Sequence, residues 1–217
     1  MLRLIRGCVW LVVICFSLTV QALDFEATKR AAEQGDMDAQ TSLGSMYHTG
    51  YDVAQNYVEA VKWYRKAAEQ GYAPAQVSLG VMYATGTGVA QNSAEATKWY
   101  TRAAEQGDIG AQFLLGMRYA KSGSAAKLGR RYTSDSSDVV KDDAEAAKWF
   151  RKAAEQDHQG AQYFLGMMHA EGHGVAKDDI EAMKWYTKAA AHGHKDAQKA
   201  LKGIKNADKP NQENITR

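Results

Sequence analysis

Val58-Glu59-Ala60-Val61-Lys62-Trp63-Tyr64-Arg65-Lys66-Ala67-Ala68-Glu69-Gln70-Gly71 decides the fold, because the chain writes this passage four times. Ala60, Trp63, Tyr64, Ala67 and Ala68 fall at i, i+3, i+4, i+7 and i+8, one apolar stripe of an α-helix. Glu59, Lys62, Arg65, Lys66 and Glu69 face water on the other side. The passage returns around Trp99, Trp149 and Trp185, at intervals of 36, 50 and 36 residues. Asn56, Asn92, Asp142 and Asp178 stand three residues before Glu59, Glu95, Glu145 and Glu181, the spacing of a capping box. Gly71, Gly107 and Gly193 close the copies with a residue suited to the left-handed C′ position, and Asp157 takes that place in the third.

Outward from this helix, which we term helix B, lies a second repeated segment, helix A. It runs from each Ala-Gln pair through Leu-Gly to an aromatic residue, as in Ala39 to Tyr47 and Ala75 to Tyr83. Ala111-Gln112, Ala161-Gln162 and Ala197-Gln198 keep the same intervals. Gly44, Gly80, Gly116 and Gly166 sit in mid-helix, each costing roughly 1 kcal/mol against Ala. A cost repeated four times implies close approach of a neighbouring helix. Gly86-Thr87-Gly88-Val89 and Gly172-His173-Gly174-Val175 turn the chain into helix B, and Asp52 replaces the second glycine in the first copy. Self-similarity at this period marks stacked units, each burying its apolar face only against its neighbours.

Leu-Gly-x-x-Tyr, then Gly-x-Gly-Val, an Asn/Asp cap and Ala-x-x-Trp-Tyr-x-Lys-Ala-Ala together resemble the Sel-1-like repeat family, relatives of the tetratricopeptide repeats. The resemblance covers roughly residues 24–205. It implies an all-α fold, a right-handed α-solenoid of antiparallel helix pairs with about four and a half repeats. The units run about 38–71, 74–107, 110–157 and 160–193, with half-unit caps at 24–35 and 196–205. It also implies that helices A line a concave face used for protein–protein interaction. Some cysteine-rich members of the family are associated with penicillin binding, through a scaffold whose disulfides this chain lacks.

The ends and the composition set further bounds. Arg3 and Arg6, the apolar run Cys8 to Val20 and the small-residue site Val20-Gln21-Ala22 read as a secretory signal over residues 1–22, with an uncleaved N-terminal anchor as the other reading. Both cysteines lie inside it, so the mature chain has no disulfide, Cys nucleophile or Cys metal ligand. Losing Arg3 and Arg6 leaves 25 basic against 25 acidic residues, which gives no electrostatic footprint for nucleic acid or anionic membrane. Lys199, Lys202 and Lys205 make the last helix A wetter, as a terminal cap requires. Residues 206–217 are polar and read as a disordered tail.

Positions that break a repeat point to function better than those that keep it. The strip at i, i+4 and i+7 after each Ala-Gln pair reads Thr41, Ser45, His48, then Val77, Val81, Ala84. It continues as Phe113, Met117, Ala120 and as Tyr163, Met167, Ala170. Val77, Val81, Phe113, Met117, Tyr163 and Met167 therefore read as an apolar groove for a protein or peptide partner, or equally as filling between repeats. The third copy carries 14 extra residues within Lys121 to Val139, where Arg130 and Arg131 add basic contacts to the candidate site.

Other motifs carry less. Ser124-Ala125-Ala126-Lys127 matches the Ser-x-x-Lys of penicillin-recognising enzymes, but no Lys-Thr-Gly exists and Ser134-Asp135-Ser136 only approaches Ser-Asp-Asn. His158, His169, His173, His192 and His194 crowd the last third, and His158 and His194 occupy equivalent positions about 10 Å apart by helix packing. No Cys or ordered carboxylate completes a metal site. The sequence reads as a non-catalytic, monomeric repeat protein without cofactor or metal. Its reading places it in a bacterial periplasm or outside the cell, bound to a protein or peptide partner. The rival readings are a β-lactam-binding hydrolase and a binder of cell-wall polysaccharide.

Overall fold

The computed structural model describes residues 25–120 and 141–207, with side chains to residue 204. The described residues are all-helical, in ten helices. The chain divides into two compact units at Asn92/Ser93. The first holds α1 (25–33), α2 (Met37–Thr49), α3 (Tyr57–Glu69) and α4 (Ala73–Thr85). The second holds α5 (Ser93–Glu105), α6 (Ile109–Tyr119), α7 (Asp143–Glu155), α8 (Gln159–Glu171), α9 (Asp179–Ala191) and α10 (Lys195–Ala207). Even-numbered helices are the A copies and odd-numbered ones the B copies. Within each unit every helix from α2 on packs against the next in the chain, and α1 is tied to α2 by a side-chain hydrogen bond. Residues 1–24, which include the stretch read as a signal, and the 121–140 segment, with Ser124, Arg130 and Arg131, lie outside the described residues, as does the tail beyond 207.

The mid-helix glycines have the packing reason the sequence demands. A Cβ on Gly116 would stand 2.5 Å from the ring of Phe150, and one on Gly44 would stand 2.7 Å from Tyr64. Gly166 meets Tyr186 in the same way at 2.8 Å. Each glycine is thus the seat for the aromatic ring of its own hairpin's helix B. Lys202 occupies that register in α10, is exposed, and no helix B follows it among the described residues.

The Ala-Gln pair is a tether. Gln40 Nε2 donates to the carbonyl of Ala32 at 3.0 Å, and Gln76, Gln112, Gln162 and Gln198 repeat the bond to Ala68, Ala104, Ala154 and Ala190. A last-turn carbonyl of each helix B, which accepts the backbone amide three residues on, thereby gains a second donor from the following helix A. A second layer joins the two helices of a hairpin. Gln70 Nε2 donates to Gln40 Oε1, and Gln156 Nε2 to Gln112 Oε1, both at 2.8 Å.

Two details depart from the sequence reading. Asn56, Asp142 and Asp178 cap their helices by accepting from the second and third amides. The reciprocal arm of the capping box is replaced: the cap amides of Asn56, Asp142 and Asp178 donate to the carbonyls of Tyr47, Tyr119 and His169. Glu59, Glu145 and Glu181 pair instead with Lys62, Lys148 and Lys184 one turn on. The end of helix A thereby fixes the start of helix B. Arg65 also departs from its water-facing assignment: it is half-buried and donates to Tyr83 Oη at 2.7 Å.

Candidate functional site

The strip after each Ala-Gln pair divides into ring and support. Met117 and Met167 are buried, at 1% and 7% exposure, in the core shared by Phe150, Phe164, Trp185 and Tyr186. Their reading as groove surface is corrected here: both lie inside that shared core, where the flexible thioether fills the gap between helices, whereas Ser45 and Val81 at the same register are exposed. Phe113 and Tyr163 remain half-buried, packed against that core. In the first unit Val77 is half-buried and Val81 is 37% exposed.

Phe113 and Tyr163 are each covered by an imidazole. The Phe113 ring centroid lies 4.4 Å from that of His158, and Tyr163 stacks on His194 at 4.5 Å and 18°. Both histidines begin the next helix A. His158 Nδ1 accepts the amide of Ala161 at 3.1 Å, and His194 Nδ1 that of Ala197 at 3.3 Å. Asp36 and Asp108 hold the equivalent cap in α2 and α6. Accepting through Nδ1 places the proton of the neutral ring on Nε2. Burial pushes the His158 pKa below its ordinary value, although the hydrogen bond of its own backbone opposes the shift. Burial pushes the Tyr163 phenol up, so it stays a neutral donor. The histidines are thus packed caps, and among the described residues no three His, Cys, Asp or Glu side chains cluster as a metal site.

Two features escape the repeat reading. Arg118 is fully buried at a register where the other helices A carry Met46, Met82 and Met168. Its Nε donates to Thr97 Oγ1 at 2.9 Å and its Nη2 to the carbonyl of Ser93 at 2.8 Å, tying α6 to the start of α5. A cation in a methionine register is a visible sequence signal. The second feature is a cleft of about 410 Å³ between α7 and the 172–175 turn. Ala144, Ala147 and Val175 form its apolar wall, and Lys148, Arg151, Lys152 and Glu155 its charged rim. Arg151 Nη2 lies 3.2 Å from Nε2 of His169, whose ring is 8% exposed. Lys152 rests 4.2 Å above the Trp149 ring.

Paired helices tethered end to start, with an aromatic seated on a glycine in three of the hairpins, define a helical repeat protein of the α-solenoid class. The Sel1 repeat pattern matches residues 38–72, 73–108, 122–158 and 160–194, more than half the chain. The chain belongs to the Sel1 repeat family. The third match begins inside the inserted segment, whereas the helix A that packs on α7 is α6, which ends at Tyr119 before it. A Sel1 repeat protein from Oxalobacter formigenes is 37% identical with a TM-score of 0.71, over 83% of this chain and 48% of its own. The crystal structure of c5321, a protective antigen of uropathogenic Escherichia coli strains displaying an SLR fold, is 40% identical with a TM-score of 0.68. That match covers 78% of this chain and 33% of the antigen, so the chain spans less than half the length of either protein. No curated protein matches it. Sel1 repeats commonly act as protein-interaction scaffolds and are generally non-catalytic. No described helix is long and apolar enough to cross a membrane.

Proposed function

We propose that this chain is an exported, non-catalytic scaffold that binds a protein partner through its helix A side chains, with Phe113 and Tyr163 as the anchors of the second unit. The observation that carries the reading is the pair of half-buried rings on consecutive helices A, each held by an imidazole cap. Rigid aromatics lose little entropy on binding, and a few such anchors decide most of the affinity at an interface. Met117 and Met167 act beneath them as packing, and Val77 with the exposed Val81 offers the corresponding apolar positions of the first unit. Export follows from the basic, apolar and small-residue order of residues 1–22.

A photo-crosslinking residue placed at position 81, 113 or 163 of the protein in its host tests the reading. The expected result is one partner trapped from these positions and lost on Phe113→Ala/Tyr163→Ala in a protein with unchanged helicity. Trapping of that partner only from exposed helix B positions such as Lys98 would overturn it. Fractionation with N-terminal sequencing tests export, which predicts a periplasmic or extracellular protein beginning near residue 23.

A further inference from the structure

We propose that the cleft between α7 and the 172–175 turn binds the C-terminal carboxylate of a peptide whose last residue is small and aliphatic. The site uses helix B side chains and a turn, so it does not rest on the helix A reading. Residues 144, 147, 148, 151, 152 and 155 lie on one face of α7, and Gly174 and Val175 close over them. The turn comes this close because residue 174 has no side chain: a Cβ there would collide with the carbonyl of Asp143.

The wall and the rim specify the ligand between them. Arg151 is oriented through His169, and its planar fork matches a carboxylate better than a point charge does. Lys148 and Lys152 add positive field, and both are already held, by Glu145 at 2.8 Å and by the Trp149 ring. Glu155 is the one acid on the rim. It disfavours a free small anion but accepts an N–H. A chain-terminal residue carries a carboxylate, an aliphatic side chain and an N–H on adjacent atoms, one for Arg151, one for the wall of Ala144, Ala147 and Val175, and one for Glu155. The volume lies in the range of small-ligand sites and holds a terminal residue with part of its neighbour.

The equivalent place in the first unit shows how the cleft is kept open. Lys62, Arg65, Lys66, Glu69, Gly88 and Val89 reproduce the rim and turn, but Val58 and Val61 stand where α7 has Ala144 and Ala147. Ala147 leaves the space that the buried Val61 fills there, and Ala144 stands at the rim where Val58 is exposed.

The test is methyl NMR of the full chain titrated with acetyl-Gly-Ser-Ala-Val. The free acid should shift the methyls of Ala144, Ala147 and Val175, and the peptide amide should bind at least about tenfold more weakly. Ala144→Val/Ala147→Val keeps every charge and installs residues the first unit already accommodates, and it should abolish the shifts. Acid and amide are compared on the unaltered protein, so the test stands even if the double variant misfolds. Equal binding of acid and amide, equal binding of a peptide with an internal Glu and an amidated end, or no shift with any peptide would each overturn the proposal.

Discussion

The equivalent face of α3 and the α7 cleft are the same piece of the repeat, 86 residues apart, and they differ in three side chains of consequence. Both have the Lys, Arg, Lys and Glu of the rim, and both are closed by a Gly-Val turn. The first carries the buried Val61 and the exposed Val58, and its Arg65 reaches the phenol of Tyr83, over whose ring the guanidinium lies at 5.6 Å. The second is floored with alanines, and its Arg151 meets the imidazole of His169. The scaffold is set by the glycine, the cap and the charged face, all retained. The cavity is set by a few methyl groups, and those are free to change. In a protein built of copies, a site is made by what one copy omits.

The turn that closes over both helices offers the largest effect. Gly88 and Gly174 have φ of 68° and 69°, and a Cβ on either meets a backbone carbonyl, that of Tyr57 or of Asp143. Asp52 adopts φ 58° at the same register with a side chain in place. Gly174→Ala should therefore cost roughly 3 kcal/mol or more, the sum of left-handed strain and overpacking against rigid backbone. Asp52→Gly should change stability by less than about 1 kcal/mol. Urea unfolding of the two variants checks this, and similar losses in both would mean that the close approach at Gly174 is not what fixes the turn.

The hairpins were legible because one helix B passage carries period, cap and stop together, and repetition turns each weak signal into a pattern. The reason for Gly44, Gly116 and Gly166 was legible too, since a recurrent helix-weakening residue requires a neighbour. Burial within the i+4 strip was not. Met117 and Met167 have the same spacing whether they face a groove or a neighbouring helix, and only the packing of Phe164 and Trp185 around them decides. The α7 cleft was hidden for a related reason. Arg151 sits among water-facing charges in a helical projection, and nothing local tells that the 172–175 turn will lie across it. The imidazole caps were visible only as an accumulation of histidines, because the stacking on Phe113 and Tyr163 belongs to successive helices A.

A smaller effect comes from a broken copy of the glutamine layer. Gln40 and Gln112 have both ends of their amides satisfied, the acceptor by Gln70 and Gln156. The fourth hairpin has His192 at that position, and Oε1 of the fully buried Gln162 has no partner. Its Nε2 still donates to the carbonyl of Ala154 and also contacts Asp157 Oδ1 at 3.2 Å, so the amide is held while its acceptor is stranded. His192→Gln should restore the bond and stabilise the protein by about 1 kcal/mol, the net value of a hydrogen bond that relieves a buried orphan. No gain in the denaturation midpoint would mean that the side chain at 192 cannot reach α8 as Gln156 reaches α6.

The smallest effect separates copies that differ only in their cap. Asp36 and Asp108 cap α2 and α6 with carboxylates, whereas α8 begins at His158, whose Nδ1 must be unprotonated to accept the Ala161 amide. Burial lowers its folded pKa below the reference value of 6.5, so the fold favours the neutral ring. The stability this contributes is fully present above about pH 6.5 and is lost as pH falls through the lowered folded value. The proton enters an imidazole lying 4.4 Å from Phe113, so the same step removes the cap and charges the packed ring. His158→Asp installs the cap that α2 and α6 already use, with a carboxylate that stays ionised to about pH 4. Thermal unfolding of the two proteins from pH 7.5 to 5 should show the wild type losing more stability than the variant, the gap opening below pH 6.5. Parallel curves would mean that His158 keeps its proton balance on unfolding, and that the aspartate and histidine caps are interchangeable in energy as well as in position.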